Sequence, residues 1–258
     1  MPAEGGRGAG GVQSLDRAIV LLDLLADAGG EVGISRLAEL SGLPLPTIHR
    51  LMRTLVTHGY VRQEASRRYA LGPRLIRLGE SAARQLGTWA RPQLVELVAA
   101  VGETANLALL EGDDVVYVAQ VPSTHSMRMF TEVGRRVFAH CTGVGKALLA
   151  QLPAETVQEI LARTGMPAQT PHTLTDPATL LRELAQIRQQ GYAIDDGEQE
   201  VGVRCLAVPV LGAPAMAAIS VSGPAARLTD EVFDRIVPLL RRAAEQLGSS
   251  FRYAESTA

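Results

Sequence analysis

GISRLAELSGLPLPTIHRLMRTLVTHGYV, residues 33–61, decides how this chain is read. Ser35 is placed to cap a short helix over Arg36–Leu40, although Ala38 stands where a Glu or Gln would close a capping box. Ser41-Gly42-Leu43 makes a tight turn, and Pro44 and Pro46 lie at the entrance of the next helix, where proline is tolerated. That helix, about Leu45–His58, carries one apolar stripe of Ile48, Leu51, Met52, Leu55 and Val56. Thr47, Arg50, Arg53, Thr54 and Thr57 project away from the stripe. Helix, tight glycine turn and helix with a basic outer face is the arrangement that lays a recognition helix in the major groove. Pro46, Thr47, His49 and Arg50 fall in or near its first turn, where side chains reach base edges. An arginine bonded bidentately to guanine discriminates by roughly 1–3 kcal/mol. Taken alone, the same pattern also fits an ordinary solvated helix face.

The following residues separate the two readings. Tyr60-Val61-Arg62-Gln63 and Arg68-Tyr69-Ala70-Leu71 are β-prone runs joined by Glu64-Ala65-Ser66-Arg67, which predicts a hairpin directly after the recognition helix. Its turn lacks the Gly or Asn that a tight hairpin prefers. Such a wing would set Arg62, Arg67 and Arg68 against phosphates or the minor groove, positioning the protein rather than reading sequence. Charge supports this. The whole chain of 258 residues has a net charge of −2, yet Leu43–Gly79 holds seven arginines against the single acid Glu64, a net of +6. From Arg91 onward there are 14 basic and 19 acidic residues. A local patch is what matters for phosphate contact, because salt screens charge beyond roughly 8 Å at physiological ionic strength.

Working outward, Ser14 is placed to cap a helix running to about Asp27, with Leu15, Ala18, Ile19, Leu22 and Leu25 on one face and Gly29-Gly30 ending it. Residues 1–12 are Gly-rich with no apolar core, and read as a disordered tail rather than a signal peptide. Arg74–Leu86 reads as a helix with Leu75, Leu78, Ala82 and Leu86 at near-heptad spacing, ended by Gly87 and Pro92. Its stripe could pack on a partner copy or on its own domain. Hydrophobic content of 47% and charged content of 20% indicate a globular chain, and no apolar run approaches a membrane span. Two cysteines, Cys141 and Cys205, make neither a disulfide framework nor a zinc site, so a cytoplasmic setting is expected.

In the second half, Ala105–Leu110, Val115–Val121 and Met127–Thr131 are expected strands, with a turn at Gly112-Asp113. Helices are expected at about Gly143–Gln151, Ala154–Thr164 and Pro177–Gln190. Strands follow near Tyr192–Asp195, Val203–Val210 and Met216–Val221, then a helix over about Thr229–Leu247. The mixed order predicts an α+β domain whose sheet is covered by helices on one or both faces. The expected organisation is a tail at 1–12, a winged helix-turn-helix domain at 13–73, a linker helix at 74–91 and a larger domain at 92–258.

HCTGVGKALLA, residues 140–150, is not a phosphate-binding P-loop: His140 stands where the first Gly is needed, and Ala147 where Ser or Thr must follow Lys146. Thr142-Gly143-Val144-Gly145 nevertheless opens a helix whose amides could hold an anion, although plain helix packing explains the glycines as well. His140 and Cys141, adjacent in sequence, point in different directions and read as packing residues. His58, His125 and His172 show no metal spacing, Cys205 lies in an apolar strand, and Lys146 is unassigned.

From about Gln13 to Leu247 the chain resembles the IclR family of regulators. The resemblance is carried by SLDRAIVLLDLLA, the 33–61 stretch, RRYALGPRLIRLG, HCTGVGKALLA, GYAIDDGEQEVGVRCLAVPV and AAISVSGPAARLTD, in that order. It implies a winged helix, a linker helix and a C-terminal effector domain related to GAF folds. It also implies homodimers or dimers of dimers on paired, palindromic half-sites of double-stranded DNA, and in many members repression of catabolic operons. In members that bind glyoxylate, pyruvate or related acids, the matching pocket positions are Gly143, Val144, Asp195, Cys205, Ser220 and Ser222, with Met129 as an apolar wall. Val144 replaces a smaller Ala of some members. The MRMF run and DDGEQEVGVRC are most similar to the allantoin- and glyoxylate-pathway regulators, which makes a glyoxylate-like acid or an allantoin-pathway metabolite the expected effector. No cofactor, metal or membrane partner is expected. Two other readings remain at this point: an enzyme using Asp195 and Cys205 on a small acid, and an oligomerisation module without a ligand.

Overall fold

A computed structural model describes residues 12–86, 88–129, 132–213 and 215–255. The first eleven residues of the tail expected at 1–12, the Gly87 helix stop and the end of the expected strand at Phe130-Thr131 lie outside them. The chain divides into two compact units, one ending at Ala82 and one beginning at Ala83.

The first unit contains α1 (Gln13–Asp27), α2 (Ile34–Ser41), α3 (Leu45–Thr57), β1 (Val61–Gln63) and β2 (Tyr69–Leu71). Leu21 and Leu25 of α1, Leu37 of α2, and Ile48 and Met52 of α3 form its core with Val32, Val61 and Tyr69. The strands pair antiparallel, Arg62 opposite Ala70, and Val32 adds a bridge to Tyr69. That bridge explains a departure from the sequence reading. Ser35 does not cap α2, which starts at Ile34 from an extended Gly33 without a side-chain cap, because strand pairing at Val32 already fixes where the helix begins. Ser14 likewise lies inside α1, whose N-cap is Val12. The Ser41 hydroxyl instead ties the turn, donating to the Leu37 carbonyl at 2.6 Å and accepting from the Leu43 amide at 3.2 Å. After the wing, Gly72 passes so close to the chain at Gly59 and Tyr60 that a Cβ there would collide with the Gly59 carbonyl.

Helix α4 covers Arg74–Leu86, as the spacing predicts. Pro92 opens rather than ends a helix. It sits in the first turn of α5 (Arg91–Val101), which the sequence reading missed by taking proline only as a stop.

The second unit is built on β3 (Thr104–Glu111), β4 (Asp114–Val121), β5 (Arg136–Phe138), β6 (Ala193–Asp196), β7 (Val203–Val210) and β8 (Ala217–Pro224). They form one antiparallel sheet in the order β5-β4-β3-β8-β7-β6. Helices cover both faces. On one, Leu107, Val118, Leu206, Val208, Ile219 and Val221 pack under α5 and α9 (Asp230–Glu255). On the other, Ala108, Tyr117, Ala207 and Ala218 pack under α6 (Gly143–Leu149), α7 (Ala154–Thr164) and α8 (Pro177–Gln190). The strand expected at Met127 is absent over Met127–Met129. There the backbone is held by a side chain, the Thr104 hydroxyl donating to the Met129 carbonyl at 2.9 Å, and the third strand of the sequence is instead β5, paired to β4.

Candidate DNA-binding surface and effector pocket

Burial of Ile48 and Met52 turns the opposite side of α3 outward, so Pro46, His49, Arg50, Arg53 and Thr54 are exposed and Thr47 is half-buried. The Thr54 and Thr57 hydroxyls donate to the Arg50 and Arg53 carbonyls, at 3.1 and 2.9 Å, and among the described residues neither guanidinium makes an ion pair. A groove lined by His49, Arg53, Val56, Thr57, Gln63 and Tyr69 runs between α3 and the wing. The wing arginines differ among themselves. Arg62 pairs with Glu64 and donates to the Leu71 carbonyl at 3.3 Å, and Arg68 donates to the Glu31 carbonyl, so both are partly committed within the unit. Arg67 at the turn is exposed and, among the described residues, has the only non-glycine φ in the left-handed region, +62°. The turn closes through Glu64 and Arg68 backbone bonds at 2.9 Å, so the position a glycine would ordinarily take is filled by a cation. Arg74 is diverted to Tyr60, its guanidinium 5.2 Å from the ring centroid.

In the second unit the pocket residues expected from the resemblance fall on the sheet face under α6. Two in-register rows cross it. Thr104 stands opposite Ser222, Ser222 opposite Cys205 and Cys205 opposite Asp195. Gln120 stands opposite Asn106, and Asn106 opposite Ser220. Period-2 alternation puts both rows on one face. The Asn106 amide donates to the Ser222 hydroxyl at 3.2 Å and to Ser220 at 3.5 Å, and its own oxygen accepts from Gln120 at 3.0 Å. A Cβ on Gly143 would lie 3.0 Å from the Cys205 sulfur, which brings the start of α6 directly onto the row. Met129 joins its Thr104 end through the bond already described. Val144 is fully buried in the apolar cluster behind the row.

The start of α6 is committed differently from the anion site the sequence suggests. The Thr142 hydroxyl caps it by accepting from the Gly145 amide at 3.2 Å, and Gly145 is required because a Cβ would strike Ala139 and the Thr142 hydroxyl. The buried polar side chains of this face are therefore concentrated in the strand rows. Burial lifts the Cys205 thiol to about 11, with Asp195 adding to the shift, so this thiol stays protonated and is a hydrogen-bonding wall rather than a nucleophile. Burial also lifts Asp195 to about 7, opposed by the Glu198 amide, while the Glu198 carboxylate adds to the rise. Its Oδ1 accepts from the Glu198 and Gln199 amides at 2.7 and 3.4 Å. His140 and Cys141 do diverge: the His140 ring faces the Pro167 carbonyl at 3.3 Å, and Cys141 donates to Gln199 Oε1 at 3.1 Å. Burial lowers the former and raises the latter to about 12.

Comparison with known proteins bears on both surfaces. The family model "IclR helix-turn-helix domain" matches residues 14–65, and "Bacterial transcriptional regulator IclR C-terminal" matches residues 82–249. This chain belongs to the IclR family. The Transcriptional repressor IclR of Escherichia coli (strain K12) is 39% identical over 245 residues, covering 92% of this chain and 89% of that protein. Among solved structures, an IclR transcriptional regulator from Alicyclobacillus acidocaldarius matches with a TM-score of 0.83 at 30% identity, covering 93% of this chain and 99% of that one. An IclR homolog from Microbacterium hydrocarbonoxydans, complexed with 4-hydroxybenzoate, matches with a TM-score of 0.79 at 27% identity over 93% and 99%. The protein is thus a transcriptional regulator with a DNA-binding helix-turn-helix and an α+β C-terminal domain, and the enzyme reading falls with these matches, which are to regulators. Among the described residues no helix is long and apolar enough to cross a membrane.

Sequence reasoning missed Thr104, Asn106, Gln120 and Tyr117 on this face of the IclR-type domain. Thr104 and Asn106 alternate inside the apolar strand TANLALLE, as Ser220 and Ser222 do in AAISVSGP, and that polar alternation on a buried strand was the available signal.

Proposed function

We propose that the protein is a ligand-responsive repressor of a catabolic operon. Its winged helix binds a palindromic operator in double-stranded DNA, and its C-terminal domain senses a small organic acid. Pro46, Thr47, His49, Arg50, Arg53 and Thr54 read the major groove, while Arg67, with Arg62 and Arg68 beside it, meets phosphates. Met129, Gly143, Val144, Asp195, Cys205, Ser220 and Ser222 bound the effector site, to which we add Asn106. The observation that carries the effector reading is the pair of in-register rows of buried polar side chains under α6. Core positions on a sheet are normally apolar, and this buried row of hydroxyl, amide, thiol and carboxyl groups, held by its own hydrogen bonds, is a preformed set of donors and acceptors for a bound acid. A small oxo-, hydroxy- or ureido-acid, glyoxylate-like or from the allantoin pathway, supplies both donors and acceptors at that scale. The working unit is a homodimer or a dimer of dimers in the cytoplasm, supported by apolar side chains left exposed on α1 and α4.

Anisotropy of labelled promoter DNA from upstream of the protein's own gene, titrated with and without glyoxylate, pyruvate, allantoate and 4-hydroxybenzoate, tests the proposal. Salt-sensitive binding to one palindrome, weakened by one of these acids, is expected. Binding unmoved by any acid, together with an unchanged melting temperature, rejects the sensor reading and leaves the DNA-binding assignment standing.

A further inference from the structure

Of the 25 lysine and arginine residues, Lys146 is the one lysine, and it is fully buried. It lies on α6, three residues after Gly143, which approaches Cys205, and directly after Gly145, which packs on Ala139. Its ammonium donates to Glu183 Oε1 of α8 at 2.6 Å and to Glu198 Oε1 in the turn between β6 and β7. Burial alone would lower the lysine, and Glu198 and Glu183 more than reverse this, so it stays charged. An ammonium suits the place, being a compact point charge with three donors where arginine is a wide planar fork.

The turn that Lys146 grips is the one that orients Asp195. The Glu198 amide bonds the Asp195 carboxyl, the Glu198 carbonyl accepts from Thr173 at 2.6 Å, and Gly197 accepts from Thr170 at 2.6 Å. Gln199, next along, takes the Cys141 thiol. Lys146 therefore joins α6, α8 and the end of the polar row through one buried charge.

We propose that Lys146 is a positioning residue for effector recognition: by clamping Glu198 against Glu183 it holds the β6–β7 turn in the geometry that fixes the Asp195 carboxyl beside Cys205. This rests on the reading above that the polar row takes a small acid, so its test has one arm that needs no ligand. In that arm, hydrogen exchange of the Glu198 and Gln199 amides is compared between wild type and Lys146→Met. Their exchange speeds up about tenfold or more while β3 and α9 keep their protection. Unchanged exchange at the turn overturns the proposal. So does uniform loss of protection, which would make Lys146 a general packing element. If Lys146→Met does not fold, Glu183→Gln, which removes only the half-exposed partner, is read in the same way.

The second arm measures glyoxylate affinity in wild type, Lys146→Met, Asp195→Asn and the double variant. Each single change weakens binding about tenfold, and the double variant is no weaker than Asp195→Asn, because a residue acting through another adds nothing once that residue is gone. Additive losses overturn the route through Asp195. A wild type that fails to bind glyoxylate counts against the effector reading, and the exchange arm then decides the role of Lys146 on its own.

Discussion

An L-residue held in the left-handed region gives up roughly 1 kcal/mol that glycine would keep, and Arg67 sits there at φ +62° in the turn of the wing. The strain is tolerable because the turn's other bonds are made, and the residue gained is a cation at the outermost point of the hairpin. Arg67→Gly should therefore stabilise the protein by about 1 kcal/mol in urea unfolding and weaken binding to all duplexes alike, lowering the salt slope of the homodimer by about two, one for each head. Arg50→Ala should act oppositely in kind, leaving stability alone and costing operator preference over random DNA by about 1–3 kcal/mol. Equal loss on operator and random DNA would place Arg50 among the phosphate contacts instead. Asp195 makes a different sort of statement. Its carboxyl holds its proton more tightly in the folded state, so its contribution to stability is complete below the ordinary carboxylate value and vanishes as pH rises through about 7. Asp195→Asn cannot ionise and keeps an oxygen for the Glu198 amide. Relative to wild type it should gain roughly 2–4 kcal/mol of stability between about pH 4 and pH 8. A difference that stays flat across that range in urea midpoints would mean another group carries the titration.

At the scale of elements, α1 buries Leu21 and Leu25 on one side, and both α1 and α4 leave large apolar residues exposed. Leu15 and Ile19 of α1 are 58% and 45% exposed, and Ile76 and Leu78 of α4 are 65% and 42% exposed. Leu15 and Ile19 stand four apart on one face of α1, Ile76 and Leu78 two apart on α4, and a partner surface that covers them removes large side chains from water at about 25 cal/mol per Å². Leu15→Asp combined with Ile76→Asp should shift sedimentation toward monomer and weaken operator binding at least tenfold, with the folded circular-dichroism signal kept. A dimer that survives both changes would move the contact elsewhere. How much of this could be read beforehand differs from element to element, for physical reasons. Periodicity located α3, α7 and α8 because each has one clearly buried face, whereas β7 was located as a continuous apolar run buried on both sides and α4 by the spacing of its leucines. The cap of α2 was misplaced because Val32 pairing with Tyr69, a tertiary contact, sets where that helix starts, and α1 begins one residue before its expected cap Ser14. Pro92 was taken as an end because its two helical roles, stop and first-turn start, look identical in sequence. Met127–Met129 looked β-prone but finds its hydrogen bond at Thr104 rather than in a ladder, and no local signal announces a side chain 25 residues away. The candidate DNA surface was legible because it is one helix and one hairpin. The polar rows are assembled from five strands, and only Asp195, Cys205, Ser220 and Ser222 among them entered through family resemblance.

For the whole molecule, the contrast between a +6 stretch at Leu43–Gly79 and a chain of net −2 has a measurable consequence. Binding to DNA follows the local patch, since charges beyond a Debye length are screened. Of the seven arginines in that stretch, Arg62, Arg68 and Arg74 are partly engaged within the protein, whereas Arg50, Arg53 and Arg67 make no ion pair among the described residues. The three wing arginines set on phosphates, Arg62, Arg67 and Arg68, doubled in a homodimer, release about six counterions, so log K should fall against log salt with a slope of roughly −5. The acidic C-terminal half should leave that slope untouched, because an effector acts on the equilibrium between binding-competent and incompetent states rather than on the phosphate contacts. A coupling of about 1–3 kcal/mol, roughly 5–150-fold, is then expected between acid and operator, and linkage requires the operator to weaken acid binding by the same factor. Operator titrations at several salt concentrations, with and without the active acid, should give parallel lines displaced by that factor. Lines that converge would mean the acid competes at the DNA surface itself, and the separation of reading head and sensor would have to be abandoned.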